Sequence, residues 1–111
     1  MPRIDDDAIL QTVITTFEMT PGTCDDLLDE LQDAYRTFIS HRPGFISAAL
    51  HVNDARTRIA NYSQWERRED FQAMLRAPEM RERNRRFSAL CHRFEPVIYE
   101  VAATFNSPAD T

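Results

Sequence analysis

At 111 residues, 42% hydrophobic and 28% charged, the chain reads as one globular domain, able to bury roughly 65% of its unfolded surface without covalent staples. Its net charge of −5, with acid concentrated at Asp5, Asp6, Asp7 and over 25–33, offers no basic field to a phosphate backbone, and its apolar runs are too short to cross a bilayer. Nucleic acid and membrane are thereby excluded as partners, and the acidic start MPRIDDD, unlike a secretory signal, predicts a cytoplasmic protein.

Residues 1–7 lack periodicity and are expected to be frayed. Residues 9–17, ILQTVITTF, are rich in β-branched side chains and predict a first strand, broken by Pro21-Gly22. Thr23 is the expected N-cap of the next helix, with Asp25 and Asp26 in the first turn where carboxylates suit the helix dipole. Leu27, Leu28, Leu31, Ala34, Tyr35, Phe38 and Ile39 recur at helical spacing until Pro43-Gly44. Residues 44–52, GFISAALHV, predict a second strand. Simple alternation puts Phe45, Ser47, Ala49 and His51 on one face and Ile46, Ala48, Leu50 and Val52 on the other. Asn53-Asp54-Ala55 has the chemistry of a hairpin turn. The third strand, 58–65, reads RIANYSQW, so Ile59, Asn61, Ser63 and Trp65 share a face.

Phe71, Met74 and Leu75 then mark a short helix ending before Pro78, which opens another helix running to residue 90, with Met80, Asn84, Phe87 and Cys91 on one side. Arg81, Arg83, Arg85 and Arg86, interleaved with Glu82, read as a solvated face. Residues 96–105, PVIYEVAATF, predict a fourth strand, and 106–111 a loose, flexible tail. Cys24 and Cys91 have no metal-binding spacing and read as small packing residues.

The order β-α-β-β-α-α-β is the split βαβ of an α+β, ferredoxin-like fold, with helices on one face of a four-stranded antiparallel sheet. The opposite face would carry Ile46, Ala48, Leu50, Val52, Ala60 and Tyr62, too much apolar surface for water, which predicts a homodimer packed sheet to sheet. On the helix-covered face, a buried amide and indole at Asn61 and Trp65 need hydrogen-bond partners, and a polar substrate is one. On the residues alone, Trp65 serves equally as the largest core side chain and Asn61 as a partner for a helix terminus. Arg85 and His51 serve equally as solvent-facing groups.

Pro43-Gly44-Phe45-Ile46, Asn61-Tyr62-Ser63-Gln64-Trp65 and Glu95-Pro96-Val97-Ile98-Tyr99, within that element order, resemble the antibiotic biosynthesis monooxygenase family over about residues 9–105. The resemblance implies a dimeric α/β barrel with a pocket between sheet and helices in each subunit. It implies oxidation of an anthrone-type phenol from a polyketide pathway to a quinone by O2, with no cofactor, neither metal nor flavin. Asn61 and Trp65 match a pocket pair in such relatives. A helix Tyr is matched by Phe71, which has no hydroxyl, and a pocket Arg by Arg85 or its neighbour Arg86. Ser63, Phe38, Phe45, Phe71 and Phe87 are the expected substrate-binding lining, and His51, the one histidine on a predicted strand, is the candidate base. Relatives of the same fold that degrade haem use a histidine about ten residues after the Trp as iron ligand, where this chain has Leu75. A non-oxidative polyketide cyclase or helper, or an aromatic-binding dimeric module, is the alternative reading.

Overall fold

The computed structural model describes residues 10–108, so the expected frayed segment and the end of the expected tail lie outside the described residues. Strand β1 (Gln11–Glu18) buries Val13, Thr15 and Phe17 on one side by simple alternation. Helix α1 (Pro21–Thr37) begins ahead of the expected cap. Thr20 precedes it and Pro21 takes the first turn, where a nitrogen without hydrogen leaves no acceptor wanting. The Thr23 hydroxyl instead donates to the Leu90 carbonyl at 2.8 Å. Cys24, Leu27, Leu31 and Ala34 form the buried stripe of α1, and a 3-10 turn (Ile39–His41) leads to the second strand.

Strands β2 (Phe45–Val52) and β3 (Arg58–Trp65) form the expected hairpin. Asn53 Oδ1 organises its turn by accepting from the backbone N–H of Thr57 and of Arg58, each at 2.9 Å. Helices α2 (Arg68–Arg76) and α3 (Pro78–Ala89) follow, and β4 (Arg93–Tyr99) closes an antiparallel sheet of order β2-β3-β1-β4. This is the ferredoxin-like arrangement, with β3 and β1 central. Among the described residues no helix is long and apolar enough to cross a membrane.

Three details depart from simple alternation. A bulge between Phe45 and Ser47 leaves Ile46 without a partner: Phe45 pairs with Trp65, but Ser47 pairs with Gln64. One inserted residue reverses the parity of everything after it. Ala48 and Leu50 therefore join Ser63 and Asn61 on the helix side, while Ser47, Ala49 and His51 turn to the outer face with Gln64, Tyr62 and Ala60. Strand β4 starts and ends earlier than expected: its last pair is Tyr99 with Thr12 of β1, and the apolar residues 101–105 pair with no strand among the described residues. Lastly, Arg83 is not part of a solvated face. Only 7% exposed, it donates to Asp33 Oδ2 and Thr37 Oγ1 on α1, each at 2.9 Å, and to Glu79 on its own helix, clamping α3 to α1.

The β2 side of this roof depends on Gly44. Its φ is +82°, its carbonyl accepts from the Glu66 N–H at 2.8 Å, and a Cβ built there would collide with the Asp70 carboxylate on α2. Gly44→Ala is expected to destabilise the fold by about 1–3 kcal/mol from backbone strain alone, and further from that collision. Because the Asp70 Cβ collides as well as its carboxylate, urea unfolding should recover the collision component, and only that, when Gly44→Ala is compared with Gly44 in an Asp70→Gly background.

Candidate active site

Because β3 lies inside the sheet, its helix-side residues are covered from above, and two of them are polar. Asn61 and Ser63, with Thr15 opposite Asn61 on β1, form the floor of a partly open cavity of about 200 Å³. Leu31 and Tyr35 of α1, Met74 of α2, and Met80, Asn84 and Phe87 of α3 close it from above. This is smaller than the ~300–1,000 Å³ usual for small-molecule sites, so a polycyclic ligand would enter by one end or displace part of the roof. A larger, open recess of about 790 Å³ runs along the free edge of β2 beside α1. The inner cavity is the better candidate, since polar groups converge there inside an aromatic and thioether shell.

The Tyr35 hydroxyl donates to Asn61 Oδ1 at 2.8 Å. With its oxygen so engaged, Asn61 has two N–H donors on Nδ2 that meet no acceptor among the described residues. Burial pushes the Tyr35 phenol up to about 12, against a smaller opposing effect of its hydrogen bonds with Asn61 and Ser63, so the group is neutral at physiological pH. Trp65 is fully buried, its ring edge-on between Phe45 at 5.4 Å and Phe71 at 5.8 Å, and its indole N–H donates to Ser63 Oγ at 3.2 Å.

Of the residues the sequence singled out, Asn61, Ser63, Phe71 and Phe87 come together around the cavity. Trp65 lies one layer behind, against the lining residues Ser63 and Phe71. The remaining four are elsewhere. The bulge in β2 turns His51 to the outer, exposed face, too far round the sheet to act as base. The phase of α3 that points Met80, Asn84 and Phe87 inward points Arg85 outward, 68% exposed and paired with Glu82 at 2.6 Å; Arg86 pairs with Glu30 of α1. Phe45 lines the open β2 recess, and Phe38 ends α1 with the Arg42 guanidinium 5.2 Å above its ring.

Sequence reasoning missed the roles of Tyr35 and Asn84. Tyr35 sat unremarked in an apolar stripe, although a phenol at a buried helical position must find a partner. Asn84 shares the Met80 and Phe87 face, and a lone amide there was the available signal. Together with Thr15, these residues give a lining with hydrogen-bonding groups but no carboxylate, imidazole or cation.

A four-stranded ferredoxin-like sheet roofed by helices supports many unrelated functions, so the class is set by the match to a family and not by the fold. Residues 10–86 match the model of the antibiotic biosynthesis monooxygenase family, and the chain belongs to that family. It is accordingly an oxidoreductase. The chain is 29% identical over 107 residues to tetracenomycin-F1 monooxygenase of Streptomyces glaucescens, covering 96% of this chain and 95% of that one. In structure it resembles the monooxygenase from the ActVA-Orf6 gene of Streptomyces coelicolor, solved with nanaomycin D, at a TM-score of 0.76 and 22% identity over 93% of this chain and 96% of that one. It also resembles SnoaB, a cofactor-independent oxygenase of Streptomyces nogalater, at a TM-score of 0.68 and 18% identity over 89% and 97% of the two chains.

The Tyr35 phenol carries a pH signature. It ionises near 10 in the unfolded chain and near 12 in the folded one, so its stabilising contribution is complete below the first value and is lost as pH rises through the second. Unfolding free energy should fall by ~2–3 kcal/mol across that window from this group, and Tyr35→Phe should remove that component of the slope. An unchanged slope in the variant would show that another group titrates there.

Proposed function

We propose that this protein is a cofactor-independent monooxygenase that oxidises a polycyclic phenolic or anthrone-type polyketide intermediate to a quinone with O2. One observation carries the reading: a half-buried amide on the floor of an aromatic-lined cavity, its oxygen held by Tyr35 and its N–H donors without a partner among the described residues. The family and the activities named for its relatives support it.

An anthrone loses a proton from its ring methylene to give an enolate, rich enough in electrons to reduce O2 directly. The balance is one methylene and one O2 going to one carbonyl and one water. The protein's task is to bind the ring system, stabilise the enolate oxygen and exclude water. Asn61 Nδ2 donates to that oxygen as charge develops on it. Phe71, Phe87 and the methionines hold the rings in a dry setting. With no base or cation in the lining among the described residues, the anthrone gives its proton to bulk water or buffer before it is enclosed and enters as the enolate, so the rate follows the substrate's own pKa.

Oxygen-electrode assays with a dihydroxyanthrone test this directly. Wild-type protein should consume one O2 per anthrone, Asn61→Ala should lower kcat by ~10²–10³-fold, and His51→Ala and Arg85→Ala should leave it unchanged. Binding without O2 consumption would favour a non-oxidative cyclase or an aromatic-binding module.

We propose further that two copies pack through the outer sheet face. That face carries Ile14, Ala49, Ala60, Tyr62, Val97 and Tyr99, and the buried Tyr62 hydroxyl and Gln64 Nε2 find no hydrogen-bond partner among the described residues. Sedimentation equilibrium should give twice the 12.9 kDa chain mass, reduced to one chain by Tyr62→Arg; a monomeric wild type would refute the pairing.

A further inference from the structure

We infer that Tyr35 is a positioning residue for the oxidation, held in a one-way hydrogen-bond chain that begins at Trp65, passes through Ser63 and Tyr35, and ends by aiming the Asn61 N–H donors into the cavity. The inference rests on the function proposed above.

The direction of the chain follows from donor and acceptor capacity. The Trp65 indole N–H can only donate, and it donates to Ser63 Oγ at 3.2 Å. Ser63 also opposes the upward shift of the Tyr35 phenol, which is the effect of a hydroxyl that donates to the phenol oxygen, and on that ground the Ser63 proton is assigned to Tyr35. The Tyr35 proton then goes to Asn61 Oδ1 at 2.8 Å. An Asn side chain offers a donor edge and an acceptor edge of nearly the same shape. With the acceptor edge taken by a phenol that stays protonated, the edge presented to substrate is the donor one, which suits a developing enolate oxygen. A flipped amide would present its carbonyl to that same oxygen and repel it. A neutral pocket amide needs this arrangement more than a lysine or arginine would, because half of its orientations oppose the reaction.

The chain also gives Trp65 a function that requires no contact with substrate. Its ring is fixed between Phe45 and Phe71, so the first donor cannot swing away. Each successive group is tied to an element already packed: Ser63 to β3, Tyr35 to the buried side of α1.

The test is a double-variant cycle on Tyr35→Phe and Asn61→Ala, read by O2 consumption with a dihydroxyanthrone, by binding of a dihydroxyanthraquinone that cannot be further oxidised at the same carbon, and by melting of the free protein. Tyr35→Phe should lower kcat by ~10–100-fold with KM within about twofold, and should change nothing further once Asn61 is Ala. Ser63→Ala should give a smaller loss of the same kind. Melting losses of the two single variants should likewise fail to add. Wild-type kcat in Tyr35→Phe, or losses that multiply in the double variant, would overturn the inference. If wild type binds the quinone but consumes no O2, the oxidative reading falls, and positioning is decided by whether Tyr35→Phe weakens binding only when Asn61 is present. Neither binding nor O2 consumption would overturn both.

Discussion

A primary amide on an inner strand of a covered sheet sets the terms for much of this molecule. Asn61 has two donors and an acceptor to satisfy, and leaving any of them buried and unpaired costs on the order of 1–3 kcal/mol. The protein answers the acceptor, through Tyr35, and leaves the donors facing a cavity. That asymmetry separates a binding site from an ordinary buried network. A structural amide would be saturated from within, whereas this one is complete only when something with an electron-rich oxygen lies beside it.

The roof over this amide is held at separate points by unlike forces. Arg83 ties α3 to α1 through Asp33 and Thr37, in a partly desolvated setting where charge-assisted hydrogen bonds count for more than at an open surface. On the other side, Gly44 lets the Asp70 carboxylate of α2 approach the β2 entry closer than any side chain would permit. Between them stand Phe71, Met74, Met80 and Phe87, whose contacts are apolar and undirected. A roof of this kind is fixed at its margins and adaptable in the middle, which suits the proposed admission of part of a planar ring system to a cavity of about 200 Å³.

Much of this was legible in the sequence, and the failures have physical causes. Strand β3 runs without interruption, so its period of two put Asn61 and Ser63 on the helix side, as observed. Strand β2 contains a bulge, and the same arithmetic reversed His51 and Ala49 against Ala48 and Leu50; nothing in FISAALHV marks where the extra residue falls. On α3 the helical period put Met80, Asn84 and Phe87 on one side, as observed, but the arginines read as one solvated face: Arg83 faces α1 and Arg85 faces water. The polar tip of Tyr35 was concealed by its apolar body, which fits a buried stripe as well as any phenylalanine would. Strand β4 fell short because pairing requires a partner, and residues 101–105 have the right composition but meet none among the described residues.

On the function proposed here, a lining with no cation or base among the described residues places the chemical burden on the substrate and the geometric burden on the protein. Catalysis would then reduce to presenting two N–H bonds, in the right direction, to an oxygen becoming negative. The most direct test of that account is a crystal structure with a planar hydroxyanthraquinone bound. The account expects a ring oxygen within hydrogen-bond distance of Asn61 Nδ2 inside the cavity, with the Tyr35 hydroxyl still on Oδ1. A ligand seated in the β2 recess or on the outer sheet face, with the inner cavity empty and Asn61 untouched, would contradict it.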